Sequence, residues 1–283
     1  MDLTLNITNR CNLNCDFCYV EKGEEILEVE DIKSIISQKE IDIVTLTGGE
    51  PLLHPEIFDI LSLFYSNNID INIITNGVLL NPDFMEKIEE FSPELHVSYN
   101  SPNNKISLKK LNDYEVDLVT HSILFNRLDI KEVKKLFDEI QFADKSLFLY
   151  PLKISPERKK PNMPSPEEWN DQINKLRKVA RNYDQDVFYQ MSFVEKDNSN
   201  VESNICPSGS SLMIDTDLKS YPCCISVDCV DGKSGAKKFS IDSKVDCEKC
   251  NGGCPVLSKN YGHDPRCNEK YLPICPLAFT KLY

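Results

Sequence analysis

The chain has 283 residues, 41% of them hydrophobic, and a formal net charge of −13 at neutral pH. That allows one large domain, or a medium domain with a small companion, around an ample core. Lys and Arg are scattered rather than striped, so the acidic surface repels phosphate backbones and nucleic acid is not an expected partner.

No apolar run approaches the ~20 residues of a membrane span, and Met1-Asp2-Leu3 leads into a strand without the basic and apolar segments of a signal peptide. The expected location is the cytoplasm, with no membrane partner. Twelve cysteines without an export signal favour metal ligation over a disulfide framework.

Leu3, Leu5 and Ile7 alternate with polar residues and predict a short strand. It delivers Cys11-Asn-Leu-Asn-Cys15-Asp-Phe-Cys18-Tyr19, a C-x3-C-x2-C loop. Three soft thiolates suit an iron–sulfur cluster or zinc, and three ligands for four irons leave one iron open to a substrate. A zinc knuckle or a few buried thiols is the plainer alternative.

Val29, Ile32, Ile35 and Ile36 recur at helical spacing, and Ile41, Ile43, Val44 and Leu46 read as a buried strand running into Thr47-Gly48-Gly49-Glu50-Pro51. A helix with Ile57, Ile60, Leu61 and Phe64 on one face follows. Ile69, Ile71, Ile73 and Ile74 predict a third strand ending at Thr75-Asn76-Gly77. Asn81-Pro82 starts a helix striped by Phe84, Met85, Ile88 and Phe91. Leu95 and Val97 predict a fourth strand leading to Ser98-Tyr99-Asn100, and the connection up to Tyr114 is polar and weakly helical. Val116, Leu118 and Val119 suggest a fifth strand. Asp129 caps a helix with Ile130, Val133, Leu136, Phe137 and Ile140, and Leu147-Phe148-Leu149 is the sixth strand.

Six strand–helix alternations imply an α/β fold with a parallel sheet, whose ligands bind beyond the carboxyl ends of the strands. A flavodoxin-like sheet explains the alternation but not the cysteines. From Pro151 the chain becomes a stiff, basic connector with Pro156, Pro161 and Pro164 among Lys153, Arg158, Lys159 and Lys160. It reads as a solvated loop or a substrate-facing one. Ser165-Pro166-Glu167-Glu168 is a capping box opening a helix with Trp169, Ile173, Leu176 and Val179 on one face, Trp169 reading as core. Val187 to Phe193 is the last predicted strand of this part.

Beyond residue 200 stand nine of the twelve cysteines: Cys206, Cys223, Cys224, Cys229, Cys247, Cys250, Cys254, Cys267 and Cys275. Leu212-Met213-Ile214-Asp215, a Thr216-Asp217-Leu218-Lys219 turn and Tyr221-Pro222 read as a hairpin ending in Cys223 and Cys224. Cys247 and Cys250 have the C-x2-C spacing that grips one metal, and Gly252-Gly253 lets backbone approach a cluster. A zinc ribbon is the competing reading. The four histidines, His54, His96, His121 and His263, form no ligand spacing.

The cysteine triplet, the aromatic Tyr19 after it, and Gly48-Gly49-Glu50-Pro51 after the next strand make this sequence resemble the radical S-adenosylmethionine (radical SAM) superfamily. The resemblance implies a partial (β/α)6 TIM-like barrel over residues 1–199. It also implies a [4Fe–4S] cluster on Cys11, Cys15 and Cys18, whose open iron chelates SAM and cleaves it to a 5′-deoxyadenosyl radical. Gly48, Gly49 and Glu50 would meet the SAM amino group, and Tyr19 the adenine. Ser98 and Asn100 stand in the Ser-x-Asp place for carboxylate and ribose, with Asn in place of Asp. Thr75 and Asn76 are further candidates, with strand-end capping as their alternative. A low-potential electron donor such as flavodoxin or ferredoxin is implied as partner.

Residues 200–283 look like the SPASM/twitch extension, a small cysteine-rich domain holding one or two auxiliary [4Fe–4S] clusters. Cys206, Cys223, Cys247 and Cys250 follow the one-cluster order, and Cys254 and Cys267 add to it. Two departures stand out. Leu218 takes the place of a glycine five residues before Cys223, and C-x2-C-x3-C replaces C-x2-C-x5-C-x3-C. The second cluster's ligand set stays open among Cys224, Cys229 and Cys275. The thiol count favours two clusters.

Three functions compete: radical modification of a peptide or protein side chain by cross-linking, oxidation or epimerisation; a radical SAM dehydrogenase or cyclase acting on a small molecule; and a non-catalytic iron–sulfur or zinc protein. The first is preferred by analogy with SPASM-type members. Since the first strand begins by Leu3, no leader-binding domain is expected before it, and a peptide would be recognised by the barrel, the tail or a partner.

Overall fold

The computed structural model describes residues 1–15, 18, 20–99, 108–124, 128–151, 164–190, 193–195, 211–221, 271–273 and 279–282. In chain order the elements are β1 (Asp2–Thr8), α1 (Val29–Ile36), β2 (Ile43–Gly48), α2 (Ile57–Ser66), β3 (Asp70–Thr75), α3 (Pro82–Ile88), β4 (Glu94–Ser98) and the one-turn α4 (Leu108–Leu111). Then come β5 (Asp117–Ile123), α5 (Ile130–Ile140), β6 (Lys145–Leu149), α6 (Pro166–Ala180), β7 (Asp186–Gln190), β8 (Phe193–Glu195), β9 (Ser211–Ile214), β10 (Ser220–Tyr221), β11 (Tyr271–Pro273) and β12 (Phe279–Lys281). The parallel α/β alternation is the one expected.

Two compact units divide the chain, Met1–Val119 with Ser208–Val245, and Thr120–Pro207 with Asp246–Tyr283. In the first, β1, β2, β3 and β4 pair in parallel and in sequence order. The strand faces explain the pairing. Leu3, Leu5, Ile7, Val44, Leu46, Ile71, Ile73, Leu95 and Val97 are all buried, at the period of two that a sheet with one covered face requires. The helices follow their stripes. Ile57, Ile60, Leu61 and Phe64 of α2 are buried, and Asn81 caps α3 by accepting from the Phe84 backbone N–H at 3.0 Å.

β9 joins this sheet on the other side of β1, parallel to it, with Leu3 opposite Leu212 and Leu5 opposite Ile214. β10 folds back antiparallel on β9, so the expected hairpin forms. Its turn holds Leu218 at φ +62°, where a side chain is strained. This is the position at which the resemblance has glycine.

The second unit pairs β6 with β7 in parallel, and β12 antiparallel to β7. Both expected caps form as capping boxes, Asp129 with Glu132 on α5 and Ser165 with Glu168 on α6. Trp169 is core, 1% exposed and edge-on to Tyr150 at 5.2 Å between centroids. The strand expected over Val187–Phe193 is two elements. β7 ends at Gln190, and Phe193 begins β8, which pairs antiparallel with β11 in a separate two-stranded sheet. No helix among the described residues is long and apolar enough to cross a membrane.

Candidate active site

The candidate residues of the first unit stand at the carboxyl ends of consecutive parallel strands. The cysteine loop follows β1, Gly48-Gly49-Glu50 ends β2, Thr75-Asn76 ends β3 and Ser98 ends β4. This is the end at which open parallel sheets collect their ligands.

The loop is closed at its neck by backbone bonds. Leu27 N–H donates to Ile7 O at 2.8 Å, Asn9 N–H to Glu25 O at 2.9 Å and Gly23 N–H to Asn9 O at 3.2 Å. Within it, Cys18 N–H donates to Cys15 O at 3.1 Å, a turn that keeps these two thiols on one short arc. Cys11, Cys15 and Cys18 are all partly exposed. Among the described residues no three or more His, Cys, Asp or Glu side chains are gathered around the position of a single metal ion. Three sulfur donors within Cys11–Cys18, on a loop rooted at a strand end and open to solvent, are the donor chemistry a cluster with an exchangeable face requires. The residues present therefore fit an iron–sulfur cluster.

Gly48 and Gly49 seat this loop. Gly49 N–H donates to Thr8 O and Glu50 N–H to Arg10 O, each at 2.8 Å, so the end of β2 is stitched to the backbone that leads into Cys11. Gly48 has φ +143°, and a Cβ on it would collide with Thr8 O and with Asn6 Oδ1. A Cβ on Gly49 would collide with Arg10 O. Both glycines are needed because two backbones meet there. With the N–H groups of Gly49 and Glu50 used, carbonyl oxygens are what this turn has to offer an ammonium.

Glu50 turns inward. It has no exposed surface, and its carboxylate accepts from Thr75 Oγ1 at 2.6 Å, Asn76 N–H at 2.7 Å and Leu52 N–H at 3.2 Å. Thr75 Oγ1 in turn accepts from Gly77 N–H at 2.9 Å, and Asn76 Oδ1 from Val78 N–H at 2.9 Å. Three candidates are thus brought into one network by capping and turn formation. Asn76 Nδ2 extends it to Asn12 Oδ1 at 2.8 Å, inside the cysteine loop. Asn12 was not singled out by the sequence, and only its place between Cys11 and Cys15 could have marked it.

Burial pushes the Glu50 carboxyl above its ordinary value, against the opposing pull of the bonds from Thr75, Asn76 and Leu52. The folded state therefore binds this proton more tightly than the unfolded chain does. Stability falls as pH rises from the ordinary glutamate value through the raised one, and the slope vanishes on either side. Urea titrations across that window are expected to show this decline in the parent protein and a flatter course in Glu50→Gln. Identical slopes would mean that Glu50 does not titrate differently on folding.

His54 is buried and satisfied. Its Nδ1 accepts from Glu56 N–H at 3.1 Å and its Nε2 lies 3.1 Å from Leu27 O, the pairing of a neutral imidazole. Burial lowers its pKa, the Leu27 carbonyl opposing. His96 pairs with Glu94 at 2.6 Å. Tyr19, Asn100, His263 and the tail cysteines Cys206, Cys223, Cys224, Cys229, Cys247, Cys250, Cys254, Cys267 and Cys275 lie outside the described residues.

The sequence profile of the radical SAM superfamily matches residues 5–124, the span that carries the cysteine loop, the double glycine and Thr75-Asn76. The uncharacterized protein MJ0907 of Methanocaldococcus jannaschii is 31% identical over 204 residues, covering 62% of this chain and 70% of that one. The chain belongs to the radical SAM superfamily. A probable GTP 3′,8-cyclase of Methanothermobacter thermautotrophicus is 34% identical over 112 residues, 36% of each chain, so only about a third of that relative is spanned. Among solved structures, Streptococcus suis SuiB bound to the precursor peptide SuiA superposes with a TM-score of 0.69 at 13% identity, over 94% of this chain and 65% of SuiB. At that identity the likeness is one of fold, and it bears out the expected partial TIM-like α/β class.

Proposed function

We propose that this radical SAM enzyme abstracts hydrogen from a peptide or protein side chain and so modifies it after translation. The observation that carries the chemistry is the cysteine loop stitched through Gly48 and Gly49 to the end of β2, with donors that fit a cluster. A [4Fe–4S] cluster on Cys11, Cys15 and Cys18 supplies, when bound, the electron that splits SAM into methionine and a 5′-deoxyadenosyl radical. The chain's own residues hold and orient. Carbonyl oxygens of Gly48 and Gly49 accept from the SAM amino group, and Glu50 supports that turn from beneath. Tyr19 covers the adenine, and Ser98 and Asn100 take the carboxylate and ribose.

The peptide reading is supported by the extent of the likeness. SuiB, solved with a precursor peptide bound, superposes over 94% of this chain. Residues 200–283 are read as a SPASM/twitch-like domain with two auxiliary [4Fe–4S] clusters, behind a core of residues 1–199. The second reading, a small-molecule cyclase, is favoured by the higher identity to the GTP 3′,8-cyclase over its shorter span.

One experiment separates them. Reduced, anaerobically reconstituted protein is given SAM with either a peptide encoded by a neighbouring gene or GTP. A hydrogen-loss mass shift on the peptide, matched by 5′-deoxyadenosine, supports the proposal. Turnover of GTP alone replaces it with the second reading.

A further inference from the structure

The cysteine loop is also gripped from the side opposite Gly48. Asn6, 4% exposed in β1, donates from Nδ2 to Asp215 Oδ1 at 2.5 Å and to Asn9 Oδ1 at 3.1 Å. A carboxylate only accepts, so the orientation of the Asn6 amide is fixed. Its Oδ1 then faces the place where Gly48 lacks a Cβ, and has no hydrogen-bond donor. Asn9 Nδ2 donates to Thr216 Oγ1 at 3.2 Å and to Glu25 Oε2 at 3.4 Å. Asp215 and Thr216 are the first residues after β9, more than two hundred positions along the chain, yet they bond the two asparagines that precede Cys11.

We propose that Asp215 is a positioning residue for the cysteine loop, setting through Asn6 and Asn9 the path on which the chain leaves β1 for Cys11. This rests on the radical SAM reading of the loop only for its catalytic meaning. The hairpin turn is closed by the Asp215 backbone, whose N–H donates to Lys219 O at 3.0 Å and whose carbonyl accepts from Leu218 N–H at 2.8 Å. The side chain is held locally as well, its Oδ1 accepting from Thr216 N–H at 2.7 Å, so the carboxylate is fixed where it meets Asn6. The bond from Asn6 is charge-assisted and shielded, the kind whose loss is felt. The contact from Asn9 to Thr216 is a neutral one and adds direction rather than strength.

The test uses the full chain, purified without oxygen. Amide hydrogen exchange is followed over residues 9–14 and 211–221 in the parent, Asp215→Asn, Asn6→Asp and the exchanged pair Asn6→Asp with Asp215→Asn. SAM affinity and the electron paramagnetic resonance signal of the reduced cluster are then read on reconstituted samples. Asn6→Asp sets two carboxylates against each other, so exchange over 9–14 rises, and SAM binding weakens, each by about tenfold. Asp215→Asn keeps an acceptor and gives a smaller effect. The exchanged pair restores the hydrogen bond with the charge on the other partner, and returns both readouts and the parental signal shape. Loosening confined to 211–221, or a pair no better than Asn6→Asp, overturns the proposal. If the parent binds no SAM, the functional reading fails alone, since the exchange arm still decides whether Asp215 holds the loop.

Discussion

Replacing Cys11, Cys15 and Cys18 together with Ala is expected to abolish formation of 5′-deoxyadenosine from SAM, while iron remains in the tail. The three thiols are partly exposed on a loop whose neck is closed by the backbone bonds of Ile7, Asn9 and Leu27, so their loss leaves the surrounding fold in place. Without thiolates the loop has no soft donors, and the electron that splits the sulfonium has no route in. The rate then drops to the uncatalysed background, about a millionfold or more. The same variant counts the auxiliary clusters. Iron and sulfide analysis giving about eight irons per chain supports two, about four means one, and zinc without sulfide defeats both. SAM cleavage persisting in the triple variant would remove the assignment of these cysteines.

Gly48→Ala should be nearly as damaging for a different reason. The new Cβ would need φ near +143° and the space occupied by Thr8 O and Asn6 Oδ1, both held by the sheet and its network. Left-handed strain and a backbone collision together cost about 3 kcal/mol or more, a large share of a domain's stability. A urea midpoint well below that of the parent, with weakened SAM binding, is the expected outcome. Gly23→Ala is the control. Its new Cβ would meet only the Glu25 side chain, which can swing away, and the midpoint should hardly move. Equal effects at Gly23 and Gly48 would show that the close approach of β2 to the loop root is unimportant.

Local pattern carried most of the fold. Ser165, Glu168 and the Trp169, Ile173, Leu176, Val179 stripe specify α6 within fifteen residues, because helix periodicity and capping are short-range properties. Leu212-Met213-Ile214 announced a strand but not its partner, since pairing beside Leu3 depends on a contact that no local period encodes. The site was legible to the same limit. The cysteine spacing and the glycine pair were visible, and strand order brings both to one end of the sheet. The inward turn of Glu50 was not, because a carboxylate after two glycines reads equally as a ligand group, and its partners Thr75 and Asn76 lie a strand and a helix further on. Asn6 looked like an ordinary polar residue of an alternating strand. Only the arrival of Asp215 gives it a purpose.

The pairing of β1 with β9 also sets an order of events during synthesis. Asn6 and Asp215 are 209 residues apart. At translation rates of 5–20 residues per second, the first strand and the root of the cysteine loop wait roughly 10–40 s for the segment that flanks them. For that time β1 has an unpaired edge and three reactive thiols beside it, the kind of exposed strand that other chains can capture. The nascent protein thus waits at the strand that leads into its cysteine loop, and the late arrival of β9 is the step that pairs the free edge of β1.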